Sequence, residues 1–171
     1  KNDVVEKLTA GVGQLSKQRK INYIRGTAKF LDSVTLRIVE EDKKISKLTF
    51  KHAIIATGSS PTKVSGLSID SPLVMDSTSA LEIADIPNSL LIVGGGYIGL
   101  EMGTVYAALG SKVTVVEMMN GLLPGVDRDL VNELSKMLNG KFSEILLNTT
   151  VSALSEQDNG VKVTLKAPDG N

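Results

Sequence analysis

The chain has 171 residues, balances 19 basic against 19 acidic side chains, and carries one histidine and no cysteine. That length fits one domain or parts of two, and the charge balance gives no pull towards nucleic acid or an anionic membrane. Within these residues disulfides, thiolate metal sites and a dithiol redox pair are excluded, one histidine makes neither a zinc cluster nor a Ser-His-Asp triad, and no apolar run reaches the roughly 18 residues of a membrane span.

The opening KNDVVEKL mixes charges into its apolar positions, unlike a secretory signal. Lys1 at the start and the turn-like Pro168, Asp169, Gly170 and Asn171 at the end read as a piece of a longer chain. Val4, Val5, Leu8, Val12 and Leu15 recur every three or four residues and predict an amphipathic helix over residues 3–18. INYIRG (21–26) reads as a short strand. Alternation at Val34, Leu36 and Ile38, a charged turn at 40–44, then Ile45, Leu48 and Phe50 predict a β-meander with one wet face. HAIIATG (52–58) is a continuous apolar run closed by glycine, the pattern of a buried parallel strand.

Residues 59–72, rich in Ser, Pro and Gly, form the predicted linker. A short helix is expected over 77–83 with Ser77 as its N-cap. Strand 90–93, helix 97–109 and strand 112–117 follow the break at Pro87 and Asn88. A helix capped by Asp127 reaches about Leu138, with Gly140 beyond its end. Strand 145–147 and a hairpin pairing 151–154 with 161–165 complete the series. Strand–helix alternation of this kind predicts an α/β fold with a parallel sheet and helices on its faces.

Strand followed by meander occurs twice, at 21–50 and at 145–165. The first copy is closed by 52–58, whereas the second stops before an equivalent strand. The pattern is the back part of one nucleotide domain, residues 1–70, joined to the front part of another, residues 71–171. An open sheet edge beside 90–93 invites pairing, and residues 52–58, from this chain or a second copy in a strand-paired dimer, are expected to fill it.

Gly94, Gly95, Gly96, Tyr97, Ile98 and Gly99 fit G-x-G-x-x-G between an apolar strand and a helix, and a second strand ends in Glu117 about twenty residues on. Gly94 suits the tight turn, Gly96 lets backbone approach a pyrophosphate, and Gly99 and Gly103 let helix and strand pack closely. The anion would sit on the helix N-terminus. Glu117 is placed to accept ribose hydroxyls and repel a 2′-phosphate, and Met118, Met119, Asn120 and Gly121 supply no cation for one. NAD is the expected cofactor. Glu101 either complements the helix dipole or faces the nicotinamide end, and Tyr97 either packs or covers something flat.

IIATGSSP, the Pro87 turn into LLIVGGGYIGLEMG, and VTVVE, in that order, resemble the two-dinucleotide flavoprotein disulfide reductases. KLTAGVGQLSKQRKINYIRGTAKF and LGSKVTVVEMMNGLLPGVDRDLV are similar to the branch that oxidises dihydrolipoamide. The resemblance implies a Rossmann-like FAD/NAD(P)-binding fold truncated at both ends, with 1–70 the end of the FAD domain and 71–171 the NAD domain without its closing strand. It implies that Gly94 to Leu100 and Glu101 line the pyrophosphate and nicotinamide side of NAD, that Glu117 takes the ribose, and that Val151 lies against adenine. Thr57, Gly58 and Ser59 would approach FAD, with Ala28 near its adenine.

The resemblance also implies a parent that passes electrons from dihydrolipoamide through a cysteine pair and FAD to NAD. Such a parent is homodimeric, served by a lipoamide-bearing acyltransferase, and cytoplasmic in bacteria or in the mitochondrial matrix of eukaryotes. The cysteine pair, the first glycine fingerprint and the flavin lysine would precede Lys1, and the catalytic histidine would follow Asn171. His52 is not that histidine, so no dehydrogenase activity, catalytic residue or metal is expected in these residues alone. A related NADH oxidase, transhydrogenase or metal reductase, or a non-catalytic NAD(H)-sensing module, remains open on the same motif.

Overall fold

In the computed structural model, which describes residues 1–62, 64, 66, 67 and 69–167, the apolar spacing near the start winds Asn2–Gln18 into helix α1. Its stripe of Val4, Val5, Leu8, Val12 and Leu15 is exposed, and no residue of the helix is buried. The chain divides into two units, Lys1–Gly58 and Ser59–Asn171. The predicted turn at residues 168–171 lies outside the described residues, as do Lys63, Ser65 and Ser68 of the predicted linker.

In the first unit, β1 (Gly26–Phe30), β2 (Thr35–Glu40) and β3 (Ile45–Thr49) form the antiparallel meander. Ala28 faces Ile38, and Arg37 faces Lys47. Asp32 and Asp42 close the two turns by accepting the N–H groups of Val34 and Lys44. The bond from Val34, then one from Thr35, holds the Asp32 carboxyl below its ordinary range. Phe30 and Phe50 meet edge to face at 6.1 Å.

Two expectations fail here. The strand expected over 21–26 begins only at Gly26, because β2 ends opposite it at Glu40 and the chain then turns through 41–44. Residues 21–25 therefore have no ladder to join. Residues 52–58 form no strand, belong to none of the three sheets, and leave Ile54 94% exposed. A buried parallel strand needs neighbours supplying backbone hydrogen bonds, and the only sheet in this unit is a meander complete without it. In the second unit, β4 (Ser89–Val93) pairs with β5 and, among the described residues of that unit, with no other strand.

In the second unit, β4, β5 (Lys112–Val116) and β6 (Glu144–Leu146) lie parallel in that order. α3 (Tyr97–Ala108) connects β4 to β5, and α4 (Arg128–Asn139) connects β5 to β6. Central β5 is valine-rich: Val113 and Val115 are buried in a cluster with Leu100, Tyr106, Leu122, Val131, Leu138 and Phe142, and Val116 is buried as well. α3 closes with paired bonds from Gly110 N–H to Ala107 O and Ser111 N–H to Tyr106 O, a Schellman ending. The Tyr106 hydroxyl donates to Ala80 O at 2.9 Å and ties α3 to the short α2 (Ser77–Ala80). α2 is capped by Asp76 rather than Ser77. The Asp76 carboxylate accepts the Thr78 and Ser79 N–H groups while Ser79 Oγ accepts that of Asp76. β7 (Thr150–Gln157) and β8 (Gly160–Lys166) form the expected hairpin, longer than the sequence pattern marks.

Close packing of α3 on β4 depends on Gly99 and Gly103. A Cβ on Gly99 would stand 2.7 Å from the Gly94 carbonyl oxygen, which is backbone and cannot yield cheaply. A Cβ on Gly103 would meet Ile92 Cδ1 and Phe142 Cζ at 2.9 Å, both ends of side chains. We expect Gly99→Ala to cost about 2–3 kcal/mol by overpacking. Gly103→Ala should cost about 1 kcal/mol or less, because alanine returns about 1 kcal/mol of helix propensity. Urea unfolding of both variants checks this, and equal losses would show that Gly99 does not set the helix–strand spacing.

Candidate functional site

The glycine turn lies between the carboxyl end of β4 and the first turn of α3. Gly94 takes φ +104°, which a side chain would resist, and its N–H donates to Val116 O at 2.8 Å. Gly95 is buried. Its N–H donates to Glu117 Oε2 at 2.7 Å, and its carbonyl accepts the Leu123 N–H at 2.9 Å. A Cβ there would come within 2.6 Å of Leu122 Cδ2.

Gly96 differs from its neighbours. It is the N-cap of α3 at φ −77° and ψ 169°, a conformation open to any residue, and a Cβ on it would meet nothing within 4 Å. No side chain caps the helix. The first N–H groups of α3 have no intrahelical acceptor and carry the positive end of its dipole. The turn is thus an exposed concentration of backbone donors, with space in front of the one glycine that packing and φ leave unexplained.

Glu117, directly after β5, is only 6% exposed. Its Oε1 accepts the Met119 N–H at 2.7 Å while Oε2 holds Gly95. The carboxylate expected to serve ribose hydroxyls therefore also fastens the glycine turn to the end of the neighbouring strand. Each oxygen still has a second acceptor position. The Glu117 carbonyl accepts the Thr149 N–H at 3.0 Å, and the Met119 carbonyl accepts that of Asn148 at 2.9 Å. Half-buried Val151, two residues beyond Thr149, thus leaves the same end of the sheet that carries Glu117.

The other anticipated residues fall in different places. Tyr97 is 66% exposed at the start of α3, and Ile98 is exposed beside it. Leu100 is buried in the core, so its side chain faces the sheet rather than an open site. Glu101 lies beyond the first turn of α3, exposed and without a hydrogen bond or ion pair among the described residues. Dipole complementarity, which fades after the first turn, explains it poorly. Ala28 is exposed on β1, Thr57 and Gly58 lie in the strandless end of the first unit, and Ser59 begins the second. Among the described residues no group of three or more His, Cys, Asp or Glu could hold a metal.

Three residues of the site escape the sequence pattern: Leu122, Leu123 and Arg128. Leu122 packs against Gly95, and Leu123 bonds to it. Arg128 gathers the carbonyls of the connecting loop. Its one sequence signal is a cation in the first turn of α4, where the helix dipole disfavours it.

Glu117→Ala leaves two backbone donors without acceptors. Bonds to a charged group contribute about 1.5–3 kcal/mol each, so we expect roughly 3 kcal/mol of lost stability in urea unfolding. Glu117→Gln keeps one acceptor oxygen and turns an amide N–H₂ towards the other donor, so it should lose roughly half as much. Equal stability of wild type and Glu117→Ala would show that the carboxylate does not hold the turn.

The family model of pyridine nucleotide-disulphide oxidoreductases matches residues 2–171. The dihydrolipoyl dehydrogenase of Haemophilus influenzae is 43% identical over 166 residues, which are 97% of this chain and 34% of that protein. That of Geobacillus stearothermophilus is 41% identical over 167 residues, 98% of this chain and 35% of that protein. The chain therefore spans about a third of the length of these relatives. Among solved structures, the HOCl-induced flavoprotein disulfide reductase RclA from Escherichia coli superimposes with TM-score 0.78 at 32% identity, covering 95% of this chain and 37% of that one. LpdA from Mycobacterium tuberculosis gives TM-score 0.65 at 23% identity, covering 85% and 33%, a likeness of fold. The expected Rossmann-like α/β fold agrees with these neighbours.

Proposed function

The chain belongs to the pyridine nucleotide-disulphide oxidoreductase family, and on that premise we propose that its second unit binds the ADP half of NAD within a dihydrolipoyl dehydrogenase. The observation that carries the reading is Gly96, a glycine that neither backbone conformation nor internal packing requires, facing open space at an uncapped helix N-terminus. Room for a pyrophosphate explains it. The N–H groups of the first turn of α3 supply donors to that anion. Glu117, with one acceptor position left on each oxygen, takes the adenosine ribose. Val151 lies towards adenine, while Tyr97 and Glu101 face the nicotinamide side.

NAD is preferred over NADP because Glu117 would repel a 2′-phosphate. The nearby guanidinium of Arg128 is engaged by the carbonyls of Leu122, Leu123 and Val126. In the whole protein, residues 1–70 complete the FAD domain, with Ala28, Thr57, Gly58 and Ser59 near the flavin nucleotide. That assignment is supported by the family resemblance alone. The parent oxidises dihydrolipoamide on a lipoamide-bearing acyltransferase, as a cytoplasmic homodimer, and reduces NAD through FAD. These 171 residues contain no cysteine, so the dithiol step lies in other parts of the parent.

Calorimetric titration of the chain with NAD and NADP tests the reading, with Gly96→Ser as the deciding variant. Serine is a good N-cap, so this variant should melt within a few degrees of wild type. Its side chain fills the space in front of the turn, and NAD affinity should fall at least tenfold. Wild-type NAD binding should be saturable and tighter than that of NADP. NAD bound equally well by Gly96→Ser would mean that the pyrophosphate lies elsewhere and would overturn the assignment.

A further inference from the structure

We infer that Arg128, at the first position of α4, is a positioning residue for the nucleotide site, acting through the loop that braces Gly95. The inference rests on the NAD-binding reading. Its starting point is a cation where the helix dipole is unfavourable, with no salt bridge among the described residues to explain it. Its guanidinium is used wholly on backbone. Nε donates to Val126 O at 3.0 Å, and Nη1 to Leu122 O at 2.9 Å. Nη2 reaches Leu123 O at 2.6 Å and Val126 O at 2.7 Å. A rigid planar fork can hold three carbonyls in one arrangement, whereas a single ammonium on a flexible stem cannot.

The gathered loop leads straight to the glycine turn. Leu123 accepts Arg128 at its carbonyl and donates its own N–H to the Gly95 carbonyl at 2.9 Å. Leu122 accepts Arg128 at its carbonyl and lays its side chain where a Cβ on Gly95 would stand. Gly95 in turn donates to Glu117 Oε2. One guanidinium thereby braces, through Leu122 and Leu123, the Gly95 residue whose N–H is held from the other side by the Glu117 carboxylate. Leu123 has φ +49°, an unfavoured conformation for leucine, and the Arg128 bond to its carbonyl helps to hold it there.

Arg128→Lys keeps the charge and a good helix former, so the fold is retained, yet it breaks the three-carbonyl fork. We expect amide hydrogen exchange at Gly95, followed by NMR, to speed at least tenfold in Arg128→Lys, with the buried β5 amides of Val113 and Val115 unchanged. Calorimetry at the same temperature should show NAD affinity reduced at least fivefold. A merely structural role would alter global stability and move the β5 amides together with Gly95. Unchanged Gly95 protection, or unchanged NAD affinity in the folded variant, overturns the inference. Failure of the wild-type chain itself to bind NAD counts against the NAD reading instead, and is thereby distinguishable.

Discussion

The 2.7 Å hydrogen bond from the Gly95 amide to the buried Glu117 carboxylate joins two strand ends that the covalent chain separates by the whole of α3. It adds a side-chain tie to the backbone bonds already there, from Gly94 N–H to Val116 O and from Leu123 N–H to Gly95 O. With it, the turn that opens α3 and the acid that ends β5 form one rigid corner. The second carboxylate oxygen holds Met119, so the chain leaving β5 is fixed by the same group. A low-dielectric setting strengthens such a charge-assisted bond and makes its loss costly.

The remaining architecture serves this corner. Gly99 and Gly103 let α3 lie close over β4, which aims the helix N-terminus along the strand end. The buried valines of β5 anchor the strand whose next residue is Glu117. The loop after it turns back through Leu122 and Leu123 to cover Gly95, and Arg128 secures the loop from the start of α4. The donors of the turn and the acid beside it thus stand on backbone held by several hydrogen bonds, and preorganisation of that kind lowers the ordering cost of taking up a ligand. Gly96 faces open space without a backbone conformation that requires glycine.

Much of the second unit was legible because its signals are local. Pro87 before β4, Gly94 after it, Gly110 closing α3 and Gly140 after α4 punctuate the chain, and the apolar period changes between them. The structural role of Glu117 was not legible, because spacing marks an acid at a strand end without showing which backbone amides reach it. Arg128 was hidden for a related reason: it binds carbonyls, which every residue carries. Asp76 displaced Ser77 as a cap because a capping box depends on which side chain meets its partner three residues on. In the first unit, HAIIATG has the composition of a buried strand, but composition cannot supply neighbouring strands, and the segment stays exposed.

The most direct test of the central claim is an amide-resolved NMR titration of the chain with NAD. Saturable shifts are expected at Gly95, Gly96, Tyr97 and Ile98, accompanied by Glu117, Met119 and Val151, while the amides of β1, β2 and β3 stay in place. Saturable shifts confined to the meander of the first unit, or none at the glycine turn under saturating NAD, would contradict it.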